Sequence, residues 1–526
     1  MRKVLGKYKF KTTPYKHQKD AIRKLLKNGY GGALLMEPRT GKSKTTIDWL
    51  SIMNLMGKVD RVVIICPNRI IGTWVTEIHL HCPRLVNITV WDSEGRKAPP
   101  PAVRGTYQLE VVIVNFEAFA TPGKKTASGR RSKASGREKN RSMLLKWMGD
   151  FKTSCIVVDE SHKIKSASGK AANMIVRMGE KVPYRLILTG TPLTKAKRAH
   201  DIYMQWKFLN PDRFEDLPTL AEFKAHFGRW KDVPVKRGDP HSRTFPKYIG
   251  PKNMKELQAR MGEDAVIVLR EDCFDLPPRE DIVVPVKLKG SKSAYEQMAR
   301  EMIALLEDGD TAEASIKLVQ TLRLSQITSG FVTTEDGEQK RIGFEKHDAL
   351  HEILEDMLEK EQKIVVAARW KADLDLIEAM GHELGFKTFS IRGNVKRADS
   401  DKAILDFRDT QDAALMVIQP QAASMGIDLS TASTMVWYSH VQSWVDFTQA
   451  CDRIALSRTS TTFYHLLVEN SIDEVLMGTL ANDGDVAKEL MAHPERLLGG
   501  TNLGTDATGR IKVKTKGKKN GLKRAK

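Results

Sequence analysis

The sequence predicts an α/β protein made of two tandem domains with parallel sheets, joined by a helical segment. Three observations predict it. Short β-branched apolar runs, each followed by a helical stretch, recur in both halves of the chain, which is the pattern of a parallel sheet with crossover helices. The earliest of these runs leads through Thr40-Gly41-Lys42-Ser43 into a helix, and a later one ends in two carboxylates, Asp159 and Glu160. The length, 526 residues, corresponds to about three domains at roughly 150 residues each.

In the first half the buried-strand candidates are 32–36, 61–67, 110–115, 155–160 and 185–190; in the second they are 363–368, 387–391, 414–419, 434–439 and 463–468. Two sets of five suggest two α/β domains of one kind. Residues 195–345 read as mostly helical, with polar breaks at 231–252 and 333–342 and no strand alternation. That is too long for a loop, so it is expected to be a helical protrusion plus linker. The expected organisation is therefore a first lobe over 1–194, the protrusion and linker over 195–345, a second lobe over 346–480 and a C-terminal extension over 481–526.

Lys and Arg number 85 against 65 Asp and Glu, a formal charge of +20 that points to a polyanionic partner. The charge is unevenly placed. Residues 124–141 hold eight Lys/Arg and one Glu, residues 510–526 hold nine Lys/Arg and no acid, and the first eleven residues add five more. The rest of the chain is close to neutral. The 124–141 segment is rich in Gly, Ser, Lys and Arg without an apolar period, so it is expected to be a disordered or solvated insert, and the tail after about 500 reads the same way. Such runs can be plain solvated surface or a localisation signal, or can hold nucleic-acid phosphates without regard to sequence.

Hydrophobic residues at 41% and charged residues at 29% fit a chain that mostly folds around cores. Five widely separated cysteines argue against a disulfide framework and fit a reducing compartment. His79, His81 and Cys82 lack a distant partner pair, so no metal is expected on them. No run of 18 apolar residues suggests a membrane span, and the N-terminus lacks the apolar core of a signal peptide. A soluble, cytoplasmic monomer is expected.

Residues 32–50 read as strand, tight loop and helix. Gly41 lets backbone amides turn toward phosphate, Lys42 supplies a point charge to the β/γ-oxygens, Ser43 is a Mg²⁺ ligand, and the helix N-terminus adds partial positive charge. The full phosphate-loop pattern is not met, since Met36 and Arg39 stand where glycines are usual. Asp159 closes a continuous apolar strand, where it can hold Mg²⁺, and Glu160 beside it can orient or deprotonate an attacking water. Trp437, Tyr438 and Trp444 could stack on single-stranded bases, but their setting at a strand end and helix start favours packing.

Taken in order, these motifs resemble those of the SWI/SNF-type DNA translocases of helicase superfamily two. The resemblance runs from about residue 10 to 480. Residues 15–22 resemble the adenine-reading segment, with Gln18 against the base; 62–78, with its Cys-Pro and Trp-x-x-Glu elements, and 111–119 resemble the next motifs. Asp159-Glu160-Ser161-His162 resembles the DEAH box, and 188–194 the motif after it. Residues 208–214, 268–281 and 322–331 resemble the inter-lobe region; 363–377, 390–407, 423–433 and 445–454 resemble the second lobe.

The resemblance implies two RecA-like P-loop domains, ATP and Mg²⁺ as cofactors, and duplex DNA as a partner held without sequence preference. It implies a nucleotide-binding set of Gln18, Arg39, Thr40, Gly41, Lys42, Ser43, Lys44, Gly426 and Asp428, with Ser43 and Asp159 on the metal. The implied catalytic set is Lys42, Asp159, Glu160, Gln449, Arg453 and Arg458, with Gln449 and Arg453 facing the ATP from the second lobe. Thr189, Gly190 and Thr191 would couple nucleotide to DNA. One departure concerns the arginines: the family places a second one three residues after the first, where this chain has Leu456, and Arg458 lies two positions later. Either the loop is re-registered so that Arg458 reaches the phosphate, or Arg453 works alone. The other readings left open are a strand-separating DNA or RNA helicase and a nucleotide-gated DNA-binding scaffold with weak turnover.

Overall fold

The computed structural model describes residues 8–92, 98–101, 105, 107–119, 136–190, 198–234, 244–269, 272–273, 279–307, 314–334, 336–360, 362–393, 395, 397–423, 427–454 and 460–481. The chain divides into two units, Met1–Val233 with Phe245–Leu276, and Pro234–Thr244 with Pro277–Lys526. No described helix is long and apolar enough to cross a membrane.

The first unit contains β1 (Gly31–Met36), β2 (Arg61–Cys66), β3 (Val86–Val90), β4 (Leu109–Asn115), β5 (Ser154–Asp159), β6 (Tyr184–Thr189), a hairpin of β7 (Gly228–Pro234) with β8 (Thr244–Pro251), and β9 (Ala265–Val268). Its main sheet has the order β3-β4-β2-β5-β6-β1-β9, every neighbour parallel. Strands β1, β2, β4 and β5 are buried along their whole length, so apolar cores form on both faces, and this is why they read as unbroken β-branched runs.

The second unit contains β10 (Arg279–Val286), a short antiparallel pair of β11 (Phe331–Thr333) with β12 (Gln339–Arg341), β13 (Lys363–Ala367), β14 (Lys387–Ile391), β15 (Ala414–Ile418), β16 (Thr434–Trp437) and β17 (Thr461–Val468). Its six-stranded sheet, β10-β17-β16-β13-β15-β14, is also all parallel. The two parallel-sheet domains and all ten strand candidates of the sequence are present.

The 195–345 segment differs from the expected strandless protrusion, for it holds β7 to β12. Its first part packs into the first unit, with Trp206, Phe208, Phe223 and Phe227 fully buried and β9 pairing with the edge of β1. Its later part opens the second sheet, since β10 pairs with β17 over its full eight residues. Both are edge strands, half-exposed and without clean alternation, and their partners lie far away in sequence, so no local pattern announces them.

The basic insert also differs at its end. Residues 136–141, expected to be solvated, begin a Gly136–Met148 helix, because Leu144, Trp147 and Met148 just beyond them are buried against β4 and its following turn. Asn140 is buried too, its Nδ2 donating to the Ala118 carbonyl at 2.8 Å. Residues 124–135 and the 510–526 tail lie outside the described residues. Trp437 and Tyr438 are buried, with Trp437 packed on Phe447 at 4.8 Å, which makes them core rather than base-stacking residues.

The helices Lys292–Glu307 and Ala314–Thr328 share a core with Ile472–Ala481 through Tyr295, Leu324, Ile327 and Leu476. A buried ion pair fastens this layer: Lys346 Nζ meets Asp473 at 2.6 Å, and the other Asp473 oxygen accepts from the Thr328 hydroxyl at 2.8 Å. Removing one partner strands the other as a buried charge, so Asp473→Ala is expected to cost about 3–5 kcal/mol. An unchanged urea-unfolding midpoint in that variant would contradict this account of the layer.

Candidate functional site

The loop between β1 and the Lys42–Leu55 helix is shaped by two left-handed residues. Gly41 sits at φ 87° and forms the helix N-cap, and Arg39 sits at φ 67°. A glycine cap carries no side chain to accept from the first-turn amides, which suits an external anion at that end. Space is also tight: a Cβ on Gly41 would lie 2.1 Å from Nε2 of Gln18. That Nε2 donates to the Thr40 carbonyl at 3.2 Å, His17 Nε2 lies 2.8 Å from the same oxygen, and Gln18 Oε1 accepts from the Tyr15 amide. Gln18 thus braces the loop from the Lys16–Asn28 helix.

Lys42 extends its ammonium back over the loop, onto the carbonyls of Met36 at 2.8 Å and Glu37 at 3.3 Å. The Thr40 hydroxyl donates to the Glu37 carbonyl. Ser43, in the first turn, is half-buried. Lys44 does not join them. Its side chain points the other way into a buried pair with Asp48 at 2.7 Å, itself accepting from Tyr8, and donates to the Thr12 carbonyl.

Asp159 ends β5, with β6 between it and β1 in the sheet. It is buried. Trp74 Nε1 donates to one of its oxygens at 2.9 Å and the Glu160 amide to the other at 2.9 Å. Burial, and then the neighbouring Glu160 charge, push its pKa up to about 6, against the opposing pull of Lys42 and the two hydrogen bonds. The Lys42 contribution puts its ammonium within electrostatic reach of Asp159. Two adjacent carboxylates are hard-oxygen donors of the kind that suits Mg²⁺, whose charge would favour ionised Asp159.

Glu160 lies at φ 51°, and its carboxylate meets His162 Nδ1 at 3.3 Å; that nitrogen also lies 3.4 Å from the Thr189 hydroxyl. At the end of β6, Gly190 lets the chain pass close to the loop, since a Cβ there would approach Pro38 to 3.0 Å. Four non-glycine residues among those described have positive φ. Two are asparagines, which tolerate it; the other two are Arg39 and Glu160. Backbone strain is therefore concentrated at this site.

In the second unit, Gln449 and Arg453 are buried on one side of the Trp444–Cys451 helix and the turn after it. Arg453 Nε donates to the Gln449 carbonyl at 2.8 Å and Nη1 to the Ile427 carbonyl at 3.2 Å, next to Asp428, whose carboxylate accepts from the Ser430 amide. Arg453, Gln449 and Asp428 are thus gathered together. Thr191, Gly426, Leu456 and Arg458 lie outside the described residues. Two contributors were not singled out from the sequence, Trp74 and His17. Trp74 was visible in its Trp-x-x-Glu element, and His17 as the neighbour of Gln18.

The SNF2-related domain matches residues 17–329, and the helicase conserved C-terminal domain matches residues 345–456. The chain is 23% identical over 475 residues to the chromatin structure-remodeling complex subunit snf21 of Schizosaccharomyces pombe, covering 86% of this chain and 37% of that protein. It is 22% identical over 526 residues to the DNA excision repair protein ERCC-6-like of Mus musculus, covering 88% and 40%. The chain thus spans about two-fifths of the length of these relatives. A solved structure of the Sulfolobus solfataricus SWI2/SNF2 ATPase core in complex with dsDNA is 19% identical, with 93% and 95% of the two chains covered and a TM-score of 0.38.

The raised pKa of Asp159 has a consequence for stability. The group binds its proton more tightly folded, at about 6, than at the ordinary 3.8, so folding loses stability as pH rises from about 4 through 6. Asp159→Asn removes that penalty. The ligand-free variant is expected to melt higher than wild type at pH 7.5, with the difference shrinking toward pH 4. Equal melting temperatures at pH 7.5 would show that the carboxylate is not strained by its burial.

Proposed function

The chain belongs to the SNF2-related family, and from that membership we propose that it is an ATP-hydrolysing motor that moves along double-stranded DNA without sequence preference. The observation that carries the reading is that the glycine-capped loop bearing Lys42 and the buried Asp159 stand at the C-terminal ends of β1 and β5 in one parallel sheet, with Lys42 opposing the rise in the Asp159 pKa. That is the edge of a parallel sheet where ligands bind.

On this reading Gln18 holds the loop and reads the base, and Gly41, Lys42 and the first-turn amides hold the β- and γ-phosphates. Ser43 and Asp159 would hold Mg²⁺, which supplies charge neutralisation on the phosphate oxygens. Lys42 would exchange its two carbonyl contacts for phosphate oxygens. Glu160 orients the attacking water and accepts its proton, with His162 linking that carboxylate to Thr189 and so to the segment that answers to DNA. Gln449 and Arg453 act on the transferring phosphoryl group, so hydrolysis depends on the state of the second unit. Arg458 is proposed as a second arginine for the same charge. The basic insert and tail raise local affinity for DNA through salt-dependent phosphate contacts.

Lys42→Ala and Glu160→Gln are each expected to lower DNA-stimulated ATP turnover by at least about 100-fold while the chain stays folded by far-UV circular dichroism. Turnover titrated separately with duplex DNA, single-stranded DNA and RNA is expected to rise most with the duplex. A rate insensitive to both substitutions would dismiss the reading, and stimulation by single strands alone would replace it with a strand-tracking motor.

A further inference from the structure

Behind the Trp444–Cys451 helix and the turn that carries Arg453 runs a polar chain that the proposed reaction does not use. It begins at the surface with Arg279, the first residue of β10, two positions after the chain returns to the second unit at Pro277. The Arg279 guanidinium forks onto Asp281, with Nε 2.8 Å from one oxygen and Nη2 2.7 Å from the other, and stacks on the Phe463 ring at 4.2 Å. Asp281 accepts from His465 Nε2 at 3.1 Å, and His465 Nδ1 lies 2.9 Å from His440 Nε2. Both histidines are fully buried, and burial holds both pKa values below the ordinary range, so both are neutral. With His465 donating to the carboxylate, its Nδ1 is an acceptor, and His440 donates to it. The chain thus has one direction, from His440 through His465 to Asp281, closed from outside by Arg279.

Two contacts join this chain to the Trp444–Cys451 helix. Arg279 Nη2 reaches Cys451 Sγ at 3.8 Å, where burial keeps the thiol protonated and the sulfur an acceptor. Phe447, one turn earlier on the same face, packs on Trp437 and beside both imidazoles. Phe447 and Cys451 therefore face the polar chain, while Gln449 and Arg453 face away from it. The Ile454 amide donates to the Cys451 carbonyl, so the turn that carries Arg453 starts from the residue Arg279 touches.

We propose that Arg279 and Asp281 are positioning residues for Arg453: they lock the strand on which the chain enters the second unit to the end of the helix that presents the arginine. A shift of β10 is then transmitted through Cys451 to the guanidinium. The inference rests on the role given to Arg453 above, and it adds a reason for hydrolysis to respond to the linker between the units.

The test uses the full chain and compares wild type with Arg279→Gln, Cys451→Ala and the double variant. The measurements are kcat and KM for ATP at saturating duplex DNA, together with the urea-unfolding midpoint. Arg279→Gln is expected to lower kcat by about 10- to 100-fold with KM changed less than twofold, because the nucleotide-holding residues are untouched. Adding it to Cys451→Ala is expected to cause little further loss, as two changes on one route are not additive. Arg279→Lys, which keeps the charge on Asp281, is expected to recover part of the loss. A wild-type chain without DNA-stimulated turnover fails the proposed function and this inference with it. A wild-type chain that turns over while Arg279→Gln matches it within twofold, or a loss shared equally by kcat and 1/KM, or full additivity in the double variant, overturns this inference alone.

Discussion

A buried carboxylate is the constraint from which the first unit's site follows. Asp159 closes a strand that is buried along its whole length, and water cannot carry its charge there. Compensation must come from fixed groups, and the fold supplies three: the Trp74 indole, the Glu160 amide and the Lys42 ammonium. They come from the helix after β2, the turn after β5 and the loop after β1. Only a parallel sheet places the C-terminal ends of these strands on one edge. The compensation is incomplete, as the raised pKa records, and Glu160 beside it adds repulsion rather than relief. A site left short of positive charge in this way would gain stability from a bound cation, which is the trade the proposed function calls for.

The strain at Arg39 and Glu160 belongs to the same account. Each residue turns the chain sharply at the end of a buried strand, and each does so without the freedom that glycine would give. Residues in this conformation persist only where surrounding contacts overdetermine them. Gln18 and His17 do so at the loop, and the His162 contacts to Glu160 and Thr189 do so at the acidic turn. The absence of the usual glycine at Arg39 is thus absorbed by the braces around the loop rather than by the loop itself.

What the sequence made legible, and what it hid, follows from whether a feature is local. The ten central strands were readable because burial on both faces writes itself as a continuous apolar run. The loop and the acidic pair were readable because each is a few consecutive residues. Strand β10 was not, because Arg-Glu-Asp opens it, Pro285 interrupts it, and its stability comes from β17, some 180 residues away. Lys44 was assigned to phosphate from its place in the motif, yet its side chain follows helix geometry and meets Asp48 one turn on. The start of the Gly136–Met148 helix was hidden because its charged first turn resembles the basic run before it, and only the apolar residues that follow draw it onto the core.

The engagement of Arg453 bears on how the second unit is used. Its guanidinium donates to the Gln449 and Ile427 carbonyls, both within its own unit. An arginine held on carbonyls is oriented and partly desolvated before any phosphate arrives, so less conformational entropy remains to be lost when it turns to a charged oxygen. Neutral carbonyls bind a guanidinium less strongly than a phosphoryl group developing charge, so on the proposed role the exchange would run downhill only near the transition state. Under the role proposed for Arg453, the contacts that restrain it in the resting protein would also reserve it for the reacting phosphate, and the near-neutral charge of the chain outside its basic segments fits that proposal: a few placed cations rather than a broad positive surface.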